Sequence, residues 1–124
     1  MTLQELYAAI DGDYDQAIRT LRVEKLIDKH IRRLPGNPIF SDLADAGTGL
    51  DGTRLFESAH AMKGVASNLG LVRIAALAEE VCNEFRPGNP RRFTDDEVRQ
   101  RIAAIGEAYQ KAAEDIRRYE QSAQ

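Results

Sequence analysis

The stretch Leu55-Phe-Glu-Ser-Ala-His60-Ala-Met-Lys-Gly64-Val-Ala-Ser-Asn-Leu-Gly70 carries the pattern that decides the fold. Apolar residues recur in it at steps of four, three, four and three: Leu55, Ala59, Met62, Ala66 and Leu69. This spacing is typical of an amphipathic helix whose apolar stripe packs into a bundle. At 3.6 residues per turn, His60 lies well away from the middle of the stripe, and Gly64 and Ser67 follow on the same outer strip. The sequence therefore predicts a helix that leaves His60 accessible.

The residues beside His60 suit chemistry at an imidazole. A free imidazole has a pKa of about 6.5, so near neutral pH it is largely uncharged and nucleophilic. Lys63, one turn further on, can stabilise negative charge that develops on a group attached to the ring. Gly64 costs a helix roughly 1 kcal/mol relative to alanine, but on an exposed strip it leaves space for an approaching surface. The alternative is an exposed histidine with an incidental lysine and glycine, and the joint spacing favours a site.

This spacing resembles the motif of the histidine-containing phosphotransfer (HPt) family, H-x-[LM]-K-G-x-[AS]-x-x-[LIF]-G. Its defined positions are all occupied, by His60, Met62, Lys63, Gly64, Ala66, Leu69 and Gly70. The resemblance is specific over residues 56–85 and compatible with the whole chain. It implies that His60 accepts a phosphoryl group from the aspartyl phosphate of a receiver domain and passes it to another receiver. Lys63 would then give electrostatic support, and Gly64 would give clearance for the receiver.

The resemblance also implies partners and a docking surface. The expected partners are response-regulator receiver domains and a hybrid sensor histidine kinase. Mg²⁺ is expected on the receiver, and no cofactor is expected on this chain. We expect Ala61, Ser67 and Asn68 to contact the docked receiver. Several family members carry a glutamine on the next helix that hydrogen-bonds the imidazole, but the matching residue here is Cys82, so orientation of the His60 ring is expected to depend on other groups or on water.

Length and composition favour one globular domain over residues 1–124. The chain has 124 residues, of which 43% are hydrophobic and 30% are charged, as in ordinary globular domains. A net charge of -3 gives no basic field for nucleic acid, although Lys63, Arg73 and Arg86 are candidates for a local basic patch. The single cysteine indicates a reducing compartment. No apolar run approaches the ~20 residues of a membrane span, and the first residues do not resemble a signal peptide. We expect a cytoplasmic monomer that binds neither nucleic acid nor membrane.

Capping and turn residues divide the first half of the chain. Residues 2–5 form a capping box for a short helix that ends near Gly12. Residues 13–34 read either as two helices or as one bent helix. Asn37 and Pro38 are predicted to begin a short helix that reaches Ala46, and residues 47–52 to form a loop.

The second half holds longer helices. Gly70 separates the His60 helix from a helix ending near Phe85, and residues 86–92 are predicted to be a loop. A second capping box, at residues 94–97, precedes a helix in which apolar residues keep a four-three rhythm from Val98 to Tyr119. With no alternation typical of strands, we predict an all-α fold. Its expected form is an up-down, antiparallel four-helix bundle with short accessory N-terminal helices.

The remaining candidate sites are weaker. His30 lies among apolar residues and is expected to be packed and hydrogen-bonded at the edge of the core. His30, His60 and Cys82 lack metal-ligand spacing, so no metal site is predicted. The chain has neither a phosphate-binding glycine loop nor a G-x-S-x-G motif. The resemblance to the HPt family implies a phosphoryl carrier in preference to an enzyme.

Two other functions are possible on sequence grounds. The phosphoacceptor region of a sensor histidine kinase usually has an acidic residue just after the histidine and a proline a few positions later. Here Ala61 follows His60, and the next proline is Pro87, so both features are missing. A helical adaptor without phosphotransfer is the other alternative, and the intact histidine, lysine and glycine argue against it.

Overall fold

The computed structural model describes residues 1–122, and within them the secondary structure is entirely helical. Seven α-helices are present in this range: α1 (Leu3–Ala9), α2 (Tyr14–Leu21), α3 (Glu24–Arg33), α4 (Ile39–Gly49), α5 (Gly52–Asn68), α6 (Val72–Glu84) and α7 (Asp95–Ser122). A 3₁₀ turn at Leu34–Gly36 joins α3 to α4. The predicted all-α class is confirmed. The predicted domain, 1–124, also includes residues 123 and 124, which lie outside the described residues.

The main body of the structure consists of α4, α5, α6 and α7. Helix α5 packs against α4 and α6, and α7 packs against α6 and α4, so the four helices close on one another. The predicted apolar stripe of α5 is buried, as are most of the apolar positions predicted along α7. Helices α4 and α7 approach closely at Gly106, where an added Cβ would lie 2.7 Å from Cζ of Phe40. The up-down, antiparallel order of the four helices stays a prediction.

The three N-terminal helices pack on the outside of this body. Residues 13–34 form two helices, because Arg22 takes a positive φ of 76° and ends α2. Helix α2 packs against α5, and both α1 and α3 pack against α7. The inward face of α3 consists of Ile27 and Ile31, which are fully buried. The expectation for His30 is wrong: it is exposed, because α3 turns the face of Ile27 and Ile31 to the core. The apolar residues Val23 and Leu26 near His30 are likewise 50% and 40% exposed.

Both predicted capping boxes are present, but α4 is longer than predicted. The side chains of Thr2 and Thr94 accept hydrogen bonds from the backbone amides of Glu5 and Glu97. In turn, the backbone amides of Thr2 and Thr94 donate to the carboxylates of Glu5 and Glu97. Helix α4 continues to Gly49, so the loop predicted at 47–52 is wrong and only residues 50 and 51 connect α4 to α5. The physical reason is burial: Gly47 lies in the core, where a Cβ would be 2.7 Å from Cδ1 of Ile102.

Gly70 fixes the end of the His60 helix against α2. Its φ is +70°, and an added Cβ would lie 2.1 Å from the carbonyl oxygen of Asp13. The carbonyl oxygen of Gly70 accepts a 2.7 Å hydrogen bond from the backbone amide of Asp13, which is the N-cap residue of α2. Only glycine combines this dihedral angle with so close an approach. The last motif glycine therefore holds α2 beside the end of α5.

Candidate functional site around His60

His60 lies at the middle of α5 with its side chain exposed. Ala61, Gly64 and Asn68 are exposed on the same helix, and Ser67 is half-buried. Apart from its own helix backbone and chain neighbours, no described atom lies within 4 Å of the position of a Cβ on Gly64. The outer strip of α5 is thus open beside the histidine, in agreement with the helical spacing.

The His60 ring is held from two sides. Its Nδ1 atom lies 4.0 Å from Sγ of Cys82, a free thiol that is buried on α6. Phe56, one turn earlier on α5, stacks on the ring with a centroid distance of 6.0 Å and an interplanar angle of 22°. Because Nδ1 faces Cys82, the other ring nitrogen, Nε2, lies on the edge of the ring directed away from the thiol. This arrangement distinguishes the two nitrogens chemically.

Arg86 extends the same cluster. Its guanidinium lies over the Phe56 ring, 5.4 Å from the centroid, and its Nη2 lies 3.9 Å from Sγ of Cys82. The same nitrogen donates a 3.2 Å hydrogen bond to Oδ1 of Asn83. Cys82 is thus in contact with both the imidazole and a guanidinium, and the cluster carries a positive charge near His60.

Lys63 pairs with a residue of α6. Its Nζ lies 3.3 Å from Oε1 of Glu79, and the two side chains are 35% and 52% exposed. Ion pairs this exposed contribute about 0–1 kcal/mol, since water screens them and both long side chains lose freedom. Lys63 is therefore held loosely and remains available to a stronger anion, such as a phosphoryl group on His60.

The end of α6, which carries Cys82 and is followed closely by Arg86, is anchored by Glu84. This carboxylate is 4% exposed and accepts hydrogen bonds from the backbone amides of Arg92 and Phe93 at 3.0 and 2.8 Å. Arg91 Nε donates to it at 2.7 Å. Burial alone would raise the pKa of Glu84, but these donors outweigh it and hold the pKa below its usual value. The loop at residues 85–94 is therefore fixed to the helix that supports the site.

Several sequence expectations need correction at this point. Lys63, Arg73 and Arg86, the candidates for a local basic patch, do not form one. Arg73 lies in the first turn of α6 and Arg86 just beyond its last, about 20 Å apart along the helix. Sγ of Cys82 lies 4.0 Å from Nδ1 of His60, so the orientation of the ring does not depend only on other groups or on water, as the sequence suggests. Phe56 was not predicted to act at the site, although its position four residues before His60 places it on the neighbouring turn.

No group of three His, Cys, Asp or Glu side chains within residues 1–122 is arranged to hold a metal ion. Over the same residues, no helix combines the length and the apolar character that crossing a membrane requires. His30 and His60 lie on different helices, α3 and α5. The structure therefore gives these two histidines separate surroundings.

Comparison with known proteins bears on the whole arrangement. A protein-family model described as the Hpt domain matches residues 2–114 of the 124-residue chain. Neither the curated proteins nor the solved structures gave a match. The family match covers α1 to α6 and most of α7, including the strip around His60. The chain therefore belongs to the Hpt domain family, whose members are phosphocarrier modules that interact with receiver domains in two-component phosphorelays.

Proposed function

We propose that this domain accepts a phosphoryl group on Nε2 of His60 from the aspartyl phosphate of one receiver and passes it to a second receiver. The surroundings of His60 carry the assignment. His60 is exposed, its Nδ1 faces the buried Cys82 thiol at 4.0 Å, and the strip beside it is free of side chains at Gly64. A nucleophile with one defined free nitrogen and open surroundings meets the geometric needs of transfer between two proteins.

The chemical step is an in-line displacement at phosphorus. The Nε2 lone pair forms the N–P bond while the bond between phosphorus and the aspartyl oxygen breaks, and the carboxylate leaves with that electron pair. The proton stays on Nδ1, facing Sγ of Cys82, and the ring carries the resulting positive charge. Transfer to the second receiver reverses these changes. Mg²⁺ on the receiver would neutralise charge on the phosphoryl oxygens in both directions.

The neighbouring residues have supporting roles in this proposal. Lys63 moves from Glu79, to which it is bound at 3.3 Å, toward the phosphoryl oxygens. Gly64 lets the receiver surface approach the helix, and Ala61, Ser67 and Asn68 adjoin that contact. The domain thus supplies a nucleophile, one cation and a flat surface, which makes it a carrier more than an enzyme.

We also propose that the protein acts as a cytoplasmic monomer, with a hybrid sensor kinase upstream of it. The phosphoacceptor region of a sensor kinase would dimerise, whereas a carrier presents one exposed histidine strip to successive partners. Gel filtration separates the two, because a monomer elutes near 13.8 kDa and a dimer at twice that mass.

The central experiment compares the two histidines. Each variant, His60→Gln and His30→Gln, is incubated with a panel of phosphorylated receiver domains, and label that is acid-labile and base-stable is followed. Both residues are exposed, so each substitution is expected to change the free energy of unfolding by no more than about 0.5 kcal/mol. We expect His60→Gln to abolish uptake and His30→Gln to leave substantial uptake. Label that persists in the His60→Gln protein would contradict the assignment.

A further inference from the structure

A cleft of about 260 Å³ lies beside the far end of the His60 helix. Its apolar walls come from α2, the 3₁₀ turn and the end of α5, and consist of Leu21, Leu34, Val65 and Leu69. Its polar lining consists of His30, Arg33, Asn37 and Asn68. The cleft therefore joins the accessory helices to the strip that carries the proposed phosphoacceptor.

The charge at this cleft differs from that of the chain as a whole. The protein has a net charge of -3, yet residues 29–33 are Lys-His-Ile-Arg-Arg. Arg32 is paired with Asp28 at 2.9 Å. Arg33 and His30 have no ion pair or hydrogen bond of their side chains within residues 1–122, and both are exposed. An exposed guanidinium with no partner, above an apolar wall, favours an acidic side chain from another molecule.

The cleft lies close enough to His60 for one docked receiver to contact both. Asn68 is eight residues after His60, which on a helix is about 12 Å along the axis and about 80° around it. A protein interface of standard size buries about 800 Å² on each partner, which corresponds to a patch about 16 Å in radius. A receiver centred on His60 therefore reaches the cleft, on the side of α5 opposite to Lys63 and α6.

We infer that the cleft of His30, Arg33, Asn37 and Asn68 is a second contact for the receiver domain and binds an acidic side chain at the edge of its docking face. The inference rests on the proposed function, because the receiver is placed there by its contact with His60. The role is selective: receivers that carry an acid at the matching position associate faster and dissociate more slowly than those that do not.

Charge reversal tests this contact separately from the chemistry. In a His60→Gln background, which cannot be phosphorylated in the proposed scheme, binding of unphosphorylated receiver domains is measured by titration calorimetry at low and high salt. For the receivers that bind, we expect Arg33→Glu to raise the dissociation constant by roughly five-fold or more at low salt, and by less at high salt. The matched control is Lys25→Glu, an exposed residue of the same helix that lines a different groove, with Thr2 and Tyr119. It is expected to change binding less than about two-fold.

Neutral variants guard against a failure of folding. An acid in the last turn of α3 opposes the helix dipole, so Arg33→Gln and His30→Gln are tested as well and are expected to weaken binding by smaller amounts. Equal effects of the changes at positions 33 and 25 would overturn the inference. A dimer in gel filtration that Arg33→Glu dissociates would also overturn it, since the occupant would then be a second copy. If no receiver binds the parent protein, the proposed function itself fails.

Discussion

At the scale of single residues, exposure does not separate the two histidines, since His30 and His60 are both exposed. Their neighbours separate them. His60 has a thiol 4.0 Å from one ring nitrogen, an aromatic ring stacked on it and a lysine one turn away. His30 lines a cleft with Arg33 and Asn37. The assignment of His60 as phosphoacceptor therefore depends on what surrounds it.

Lys63 gives a prediction about charge. Its ammonium interacts more strongly with a phosphorylated imidazole than with a neutral one, and at a half-exposed site this difference is about 1 kcal/mol. We expect Lys63→Ala to slow phosphorylation or shorten the phosphohistidine lifetime several-fold at low salt, with little change in receiver binding. Lys63→Arg keeps the charge and should retain much of the effect, with altered hydrogen-bond geometry. Label uptake and decay at low and high salt measure this.

The partner of Lys63 offers a matched control. Glu79→Gln removes the carboxylate that lies 3.3 Å from Nζ, so it frees the lysine, and the phosphohistidine lifetime should stay the same or lengthen. If the parent protein and Lys63→Ala take up and lose label at the same rates at low salt, Lys63 is only a surface charge.

The sequence predicted part of this site. Helical spacing indicated the exposed strip and the lysine one turn from His60, because neighbours on one helix follow from its period. The Lys63–Glu79 pair and the Cys82–His60 contact join residues 16 and 22 positions apart. Such contacts depend on the register between α5 and α6, which no pattern within one helix defines.

At the scale of the helix, Gly64 lowers the stability of α5 but leaves space for the docking receiver. A Cβ at this position meets no described atom within 4 Å beyond its own backbone and neighbours, so α5 can accept alanine without strain. Gly64→Ala should stabilise the protein by up to about 1 kcal/mol, because glycine is a poor helix former. It should also slow transfer, since the methyl group projects toward the approaching receiver, and Gly64→Gln should slow it more.

Thermal unfolding and transfer rates measured on the same three proteins test both halves of this prediction. Circular dichroism should show the same helix content in each. If neither substitution slows transfer, Gly64 has no role in clearance, and its presence in the middle of α5 is left without a functional reason.

The helices themselves were predicted where apolar periodicity was long, as in α5 and α7. Prediction failed where tertiary packing overrides local sequence. Residues 47–49 contain two glycines and read as loop, but burial against Ile102 continues α4 through them. In α3 the apolar residues lie on two faces, and the core accepts only the face of Ile27 and Ile31, which turns His30 outward.

At the scale of the whole molecule, two acids attach outlying segments to the main body. Glu84 fixes residues 91–93 to the end of α6. Asp28 of α3 accepts hydrogen bonds from Arg32 and from the hydroxyl of Tyr119 on α7. Burial alone would raise both pKa values, but the donors outweigh it and the pKa of each carboxyl is lowered. Both sets of hydrogen bonds therefore depend on the charged form of the carboxyl group.

This requirement predicts how stability depends on pH. A carboxyl whose pKa is lower in the folded state than in the unfolded chain stabilises the fold above its unfolded pKa, and that contribution is lost as pH falls through the folded pKa. With ordinary values of 4.5 for Glu84 and 3.8 for Asp28, these two contributions should stay constant from pH 8 to 6 and fall below about pH 5. Calorimetric melting across this range is the measurement.

Glu84→Gln tests how much the buried Glu84 carboxylate contributes to stability. At neutral pH it should lower the free energy of unfolding by about 1–3 kcal/mol, because the amide makes weaker hydrogen bonds with Arg91 and the two backbone donors. Its loss of stability below pH 5 should be smaller than that of the parent protein, since one titrating group is gone. Glu114→Gln, an exposed change on α7, is the matched control and should stay within about 0.5 kcal/mol. A Glu84→Gln protein with the parent's full acid sensitivity would show that this carboxylate does not link pH to the fold.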